Sequence, residues 1–340
     1  MQDDTGNRRS GAFVDAFTLV ERNKDDTSPG EIEQIPVGLT AAVIALQDDE
    51  PVVLVTRDRE PGANASAQLP SLAYRPRLHG ALDEAVRQQV LRQTGVGVGY
   101  VEQLATAFEL AHDERRFTAS PPRLSIGYLA LVHAEHDATP SGSLWQSCYS
   151  FLPWEDWRRG KPEILATHLL PRLEVWARDG HASRETADAA MSREDRLRVA
   201  FGANGGRWDD ERVLERLDIL EEANATPILG ARGLRVDHAR VLATALGRLR
   251  SKVKSRPVVF ELLPSEFTLF ELQRTVEAIL GPHLHKQNFR RLVEGMGLVE
   301  PTGEVRTRTG GRPARLFRFR REVMLERPTT GVSVRAGKAA

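Results

Sequence analysis

Residues 267–320 read FTLFELQRTVEAILGPHLHKQNFRRLVEGMGLVEPTGEVRTRTGGRPARLFRFR. Thr268 is a helix-capping residue type, and Glu271 follows at the three-residue spacing of a capping box. Leu269, Leu272, Val276, Ile279 and Leu280 then form one apolar stripe, and Gly281-Pro282 stops the helix. A second helix is predicted over 286–294, with Phe289, Leu292 and Val293 facing inward. Lys286, Gln287, Arg290 and Arg291 lie on or beside its outward face. After it come Val299-Glu300, a predicted turn at Pro301-Thr302-Gly303, and an alternation of Arg315, Leu316, Arg318, Phe319 and Arg320 that predicts a strand. The stretch is two helices followed by a hairpin whose tip is Thr309-Gly310-Gly311-Arg312-Pro313.

This order of elements fits duplex DNA. A helix enters the major groove, where Arg, Lys, Gln and Asn reach base edges. A basic hairpin tip neutralises phosphates or enters the minor groove, and glycines let its backbone approach closely. The residues expected to face DNA are Thr268, Lys286, Gln287, Asn288, Arg290, Arg291, Arg308, Arg312 and Arg315. Asn288 has two readings, a base reader or a local cap. The competing account, a small helical domain with a solvated basic edge, does not explain why a helix, a basic helix and a basic Gly-rich hairpin follow in that order. Charge is distributed accordingly. Residues 251–327 hold 15 basic and 9 acidic residues, a net of +6, whereas residues 1–250 carry −8 within a chain that is neutral overall.

The remainder of the 340 residues suits one or two further domains of globular composition. No apolar run is long enough for a membrane span, and the first residues, MQDDTGNRRS, lack the apolar core of a secretory signal. A cytoplasmic location fits. Cys148 is the only cysteine, which excludes an intramolecular disulfide and Cys-rich zinc sites; beside Tyr149 and Phe151 it reads as a packed small hydrophobe. Residues 1–34 are polar and predict a flexible arm, and 328–340 a flexible tail. GLTAAVIALQDDEPVVLVTR, residues 38–57, predicts a strand, an acidic turn and a strand. Residues 57–80 look loop-like. A helix is predicted over 83–94, with Gly95 as its C-terminal cap, and strands over 96–108 and 123–133. Residues 154–177 look helical, broken at Pro162 and Pro171, and 178–206 read as a linker or a loose helix. Amphipathic helices are predicted over 209–222 and 237–250. The alternation of strands and helices points to an α/β unit at the N-terminal side.

The runs FELLP-x-x-FTL-x-ELQ, from Phe260, and K-x-NFRR, from Lys286, resemble the C-terminal domain of the Nudix-related transcriptional regulators of bacterial NAD metabolism. These are the NrtR family and its longer alphaproteobacterial relatives, called NadQ. DHARVLATALGRLRSKVKSRP, from Asp237, is similar to the family as well, and the likeness extends over most of residues 37–325. It implies an α+β chain: an N-terminal Nudix-fold α/β/α sandwich followed by a C-terminal winged helix-turn-helix domain. The expected boundaries are a nucleotide-sensing domain over 35–178, a helical linker region over 179–250 and a DNA-binding domain over 251–327. The implied function is a homodimeric repressor of NAD biosynthesis or salvage genes, with double-stranded operator DNA and a nucleotide effector as partners. The effector stands open among ADP-ribose, NAD and ATP-like nucleotides.

The alternative is a Nudix hydrolase with a DNA-binding appendage. Such an enzyme carries the pattern G-x5-E-x7-R-E-U-x-E-E-x-G-U, where U is a bulky aliphatic residue and the glutamates hold a divalent cation that activates water. Gly95-Val96 fits its last pair, but Gln88-Gln89 stands in place of R-E and Arg92-Gln93 in place of E-E. Gly80 falls where the early glutamate belongs, Tyr74 where the glycine does, and LPSL, residues 69–72, where LPGG is usual. The chain is therefore expected to have no metal site, no cofactor and no pyrophosphatase activity. A sensor still needs donors for phosphate oxygens, and the resemblance points to Arg57, Gln103, Arg116 and Arg123 as ligand-binding candidates.

Overall fold

A computed structural model gives the fold and describes residues 35–57, 67–109, 123–133, 143–179, 191–225, 233–307 and 313–322. The flexible arm and tail expected at 1–34 and 328–340, together with Arg116, Arg308 and Arg312, lie outside these residues.

Strand β1 (Val37–Gln47) turns through Asp48 and Asp49, both with positive φ (48° and 59°), into antiparallel β2 (Glu50–Arg57). Short polar side chains tolerate that left-handed backbone, so the acidic turn read from the sequence is a two-residue hairpin turn. The sheet continues with β3 (Ala67–Gln68), β4 (Ser71–Tyr74), β5 (Tyr100–Glu109), β6 (Arg123–Leu131) and β7 (Ser143–Ser147). Its order is β3-β2-β1-β6-β5, with β4 also on β1 and β7 also on β2; β6 runs parallel to β1. The segment 67–80, read as loop, thus contains two short strands and the single turn α1 (Pro76–His79). Strands of two and four residues at a sheet edge leave too little alternation to register as a pattern.

Alternate residues of the strands face opposite layers. Leu39, Ala41, Val43, Leu54, Ile126, Tyr128 and Ala130 pack on α2 (Leu82–Thr94) through Ala85, Val86 and Val90. Gly95, at φ 74°, closes that helix in the left-handed conformation glycine favours, donating to the Leu91 carbonyl. On the other face, Ala42, Ile44, Val53, Val55, Leu129 and Leu131 pack toward α7 (Val236–Ser255), which lies against α6 (Val213–Glu222) in a core that α3 (Cys148–Phe151), α4 (Leu170–Asp179) and α5 (Arg193–Phe201) share. This is the α/β/α sandwich.

Two further expectations need correction. Residues 153–155 form a 3-10 turn rather than the start of a helix, and Pro171 lies inside α4 instead of ending it. The turn before it, 165–169, is a wide π turn in which Leu170 N–H reaches Leu165 C=O. Such a turn accommodates a proline that lacks a donor and crowds the preceding carbonyls. The stretch read as a linker or a loose helix contains a helix, α5, capped by the Ser192 hydroxyl, which accepts the Asp195 N–H at 3.1 Å.

The same apolar core that fills the α7 face runs without a break into α8 (Leu269–Leu280) and α9 (Lys286–Gly295) through Leu272, Val276, Ile279, Phe289 and Val293. Strands β8 (Val299–Arg306) and β9 (Ala314–Phe319) pair antiparallel. The expected turn at Pro301-Thr302-Gly303 is an irregularity within β8, where the register shifts between Pro301 and Val305 and Gly303 takes φ 89°. Among the described residues, no helix is long and apolar enough to cross a membrane.

Candidate nucleic-acid interface

The C-terminal module is fixed from its first residue. Thr268 accepts the Glu271 N–H at 3.1 Å, and the Glu271 carboxylate accepts the Thr268 N–H at 2.7 Å, completing the capping box. Glu271 also pairs with Arg306 of β8, so one carboxylate holds both the start of α8 and the hairpin. Phe267 exchanges backbone hydrogen bonds with Phe317 at 2.9 and 2.8 Å, which adds a third, one-residue strand beside β8 and β9. Phe260 stacks on Phe319 and touches Phe267, sealing this corner.

Helix α9 buries Phe289 and Val293 and leaves Lys286, Gln287, Asn288, Arg290 and Arg291 exposed, as its apolar spacing requires. Arg290 pairs with Glu294 one turn on, at 2.9 Å. Lys286, Gln287, Asn288 and Arg291 form no side-chain hydrogen bond or ion pair among the described residues, and neither does Arg315, exposed on β9 opposite Val305. Asn288 therefore makes no cap. His285 holds the N-cap position and gives no side-chain cap bond either. Thr268, by contrast, is 6% exposed and its hydroxyl serves the cap of α8.

Helix α8 ends inside the rest of the chain. Its last carbonyls, which a helix leaves unpaired, are met by the Tyr149 hydroxyl on Ala278 O at 2.7 Å and by Arg250 Nε of α7 on Ile279 O at 2.9 Å. Gly281 caps it at φ 96°, and a side chain there would lie 2.7 Å from Trp157 Cβ. Arg274 of α8 reaches Asp49 in the β1–β2 turn at 3.0 Å. The winged module is thus bolted to the sandwich at several points.

The sandwich places the other candidates separately. Gln103 lies on the α2 side of the sheet, opposite Tyr128, at the bulge between Gln103 and Thr106 of β5. Arg123 lies on the α7 side and pairs with Asp237 at 2.8 Å. The two do not converge on one site. Burial pushes the Asp237 carboxyl up, but His238, Arg235 and Arg123 outweigh it and hold it below the usual range. Arg57 ends β2.

On α2, Gln89 Nε2 donates to the Ser71 carbonyl at 3.0 Å, and Gln93 Oε1 accepts the Ser71 N–H at 3.1 Å. Arg92 donates to Gln89 Oε1 at 2.8 Å, and Gln88 donates to Glu84 at 2.9 Å. A divalent cation does not fit this donor set: the amides are engaged by a backbone peptide, and the guanidinium repels the ion. The described acidic trio close enough to share a cation, Asp209, Asp210 and Glu211, lies before α6, where Lys254 and Arg212 already meet it.

The segment that α2 holds is held from behind as well. Leu69 N–H donates to buried His238 Nδ1 at 3.0 Å, and Ala67 bridges to Leu234. Helix α7 thereby joins the 67–71 segment through His238 to the C-terminus of α8 through Arg250, a span of roughly 18 Å. These contacts were hidden in the sequence, because His238 and Arg250 sit in an ordinary amphipathic pattern.

Residues 259–319 match the family described as the NrtR DNA-binding winged helix domain. The ADPR-responsive transcriptional repressor NtrR of Acinetobacter baylyi is 42% identical over 86 residues, which is 25% of this chain and 34% of that repressor. The chain thus matches about a third of this relative's length. The whole fold is similar to that of Shewanella oneidensis NrtR, crystallised with a 27mer DNA, at a TM-score of 0.51 and 20% identity over 84% of this chain and 93% of that one. It is also similar to a MutT/nudix family protein of Enterococcus faecalis, at a TM-score of 0.50 and 15% identity over 86% and 90% of the two chains. The chain joins an NrtR winged helix to a Nudix fold. In the NrtR domain, α9 is the second helix of the helix-turn-helix and β8–β9 is the wing.

Proposed function

We propose that the protein is a ligand-responsive transcriptional repressor. It binds operator DNA as a homodimer through its NrtR winged helix, and its Nudix-fold domain senses a nucleotide. The observation that carries this reading is the face of α9, where Lys286, Gln287, Asn288, Arg290 and Arg291 stand exposed on a helix anchored by Phe289 and Val293. Those are residue types that read base edges and neutralise phosphates in the major groove. The name of the Acinetobacter relative favours ADP-ribose over NAD or ATP as effector; genes of NAD biosynthesis or salvage are the targets that the sequence resemblance implies.

The Nudix helix supports sensing rather than hydrolysis. Its amides hold Ser71 where carboxylates would hold a metal. A sensor must shift the winged helices between arrangements of different DNA affinity. Because the winged helix is bolted to the sandwich, the change is delivered between protomers, as a change in the spacing of two rigid units relative to half-sites one helical turn apart.

Fluorescence anisotropy of a promoter fragment from an NAD-biosynthesis or salvage gene tests this, titrated at several salt concentrations with and without ADP-ribose, NAD and ATP. The expected result is binding stronger than to a scrambled duplex and altered by one nucleotide. Equal, weak binding to all duplexes, unmoved by any nucleotide, removes the proposal.

A further inference from the structure

Helix α8 buries an amide and a carboxylate that neither its cap nor its apolar stripe explains. Gln273 and Glu277, one turn apart, are 7% and 6% exposed. Burying a carboxylate and an amide is unfavourable unless their hydrogen bonds are made. Here both are made to one residue of the turn before α9. Glu277 Oε1 accepts the Leu284 N–H at 2.8 Å, and Gln273 Nε2 donates to the Leu284 carbonyl at 2.8 Å. Gln273 also donates to Glu277 Oε1 at 2.9 Å, which fixes the two side chains against each other. The other Glu277 oxygen faces Arg274 at 3.5 Å and His283 at 3.6 Å.

Leu284 immediately precedes His285, the N-cap of α9, which makes no cap bond of its own. The entry of α9 is therefore set from α8. The residues that follow at once are Lys286, Gln287 and Asn288, the first turn of a helix whose N-terminal residues reach bases in helix-turn-helix proteins. We infer that Gln273 and Glu277 are positioning residues for DNA recognition, gripping both polar groups of Leu284 so that the first turn of α9 is presented at a fixed angle. The inference rests on the DNA-binding reading above. It assigns these residues no contact with DNA.

The test uses the full chain and three variants: Glu277→Ala, Gln273→Ala and Glu277→Gln, the last keeping an acceptor for Leu284. Each is titrated against an operator duplex and a scrambled duplex at fixed salt, and amide exchange is followed over residues 281–290. Either alanine variant is expected to lose operator affinity by about tenfold, the scale of one charge-assisted hydrogen bond, with scrambled-duplex affinity within about twofold. Exchange over 283–288 speeds up in both, while Glu277→Gln restores the operator preference and the slow exchange. Operator binding and exchange at wild-type levels in both alanine variants overturn the inference, as does equal loss on both duplexes. A wild-type protein that shows no preference between duplexes discredits the DNA reading instead, and the exchange comparison then still decides whether the pair holds α9.

Discussion

The Glu155 carboxylate receives both arms of the Arg216 guanidinium, at 2.6 and 3.0 Å, in a site where neither side chain has any exposure. Arg250, 1% exposed, approaches the same carboxylate from α7, and the Arg216 guanidinium lies 3.9 Å from the centre of the Trp208 ring. The two guanidinium groups also meet the main-chain carbonyls of Ala200, Asp209, Asp210, Ile279 and Glu155. One buried carboxylate thus organises the junction of the sandwich, the α6–α7 pair and the winged helix.

Glu155→Gln leaves two buried cations without a counter-charge, a loss of about 3–5 kcal/mol. The expected fall in melting temperature is roughly 10 °C. Apolar replacement of the trio offers no escape here, because the carbonyls it serves would be orphaned. Scanning calorimetry of Glu155→Gln checks this. A melting temperature within 2–3 °C of wild type, a change of about 1 kcal/mol, would show that the trio contributes little.

Arg290→Ala tests the placement of α9. Its pair with Glu294 is exposed, so the variant should keep its stability to within about 0.5 kcal/mol. DNA affinity should fall. If Arg290 meets a phosphate, the slope of log affinity against log salt drops by about one; if it reads a base, the loss depends on the sequence of the duplex. Arg312→Ala, in the sequence between β8 and β9 and outside the described residues, is expected to weaken binding in the same assay. Wild-type affinity in both variants places the interface elsewhere.

Local signals were legible in the sequence. Thr268 with Glu271, Gly95 and Gly281 each mark a helix end through a bond within a few residues, and the spacing of Phe289 and Val293 fixed the face of α9. What stayed hidden depends on partners far along the chain. Glu155, Arg216, Arg250, Gln273 and Glu277 look like solvated polar positions until packing buries them. Gln103 and Arg123 looked like members of one ligand site, but strand parity sends them to opposite faces, and parity is known only once the register is.

The grip of α2 on Ser71 gives a third prediction. An amide at position 89 donates to the Ser71 carbonyl; a carboxylate there sets two acceptors face to face. Gln89→Glu should therefore destabilise the protein by about 1–3 kcal/mol. The wild-type protein should release no product from ADP-ribose in the presence of Mg²⁺. Unchanged melting of Gln89→Glu would mean that Ser71 is not held by the amide, and magnesium-dependent turnover by the wild type would restore the hydrolase alternative.

Glu102 on β5 supplies the pH dependence. Burial pushes its carboxyl up, but hydrogen bonds from Tyr100 and Lys252 and the charge of Arg248 outweigh burial and hold it below the ordinary glutamate range. A carboxyl lowered on folding adds stability that is fully present above its unfolded value, about 4.3, and is lost as pH falls through the folded value. Lys252 and Arg248 belong to α7, so acid weakens the hold of the sheet on that helix. Melting temperature measured from neutral pH down to about pH 3 should fall less steeply for Glu102→Gln than for wild type over the acid end of the range. Parallel acid profiles for wild type and Glu102→Gln would mean that Glu102 gains nothing from its partners on α7.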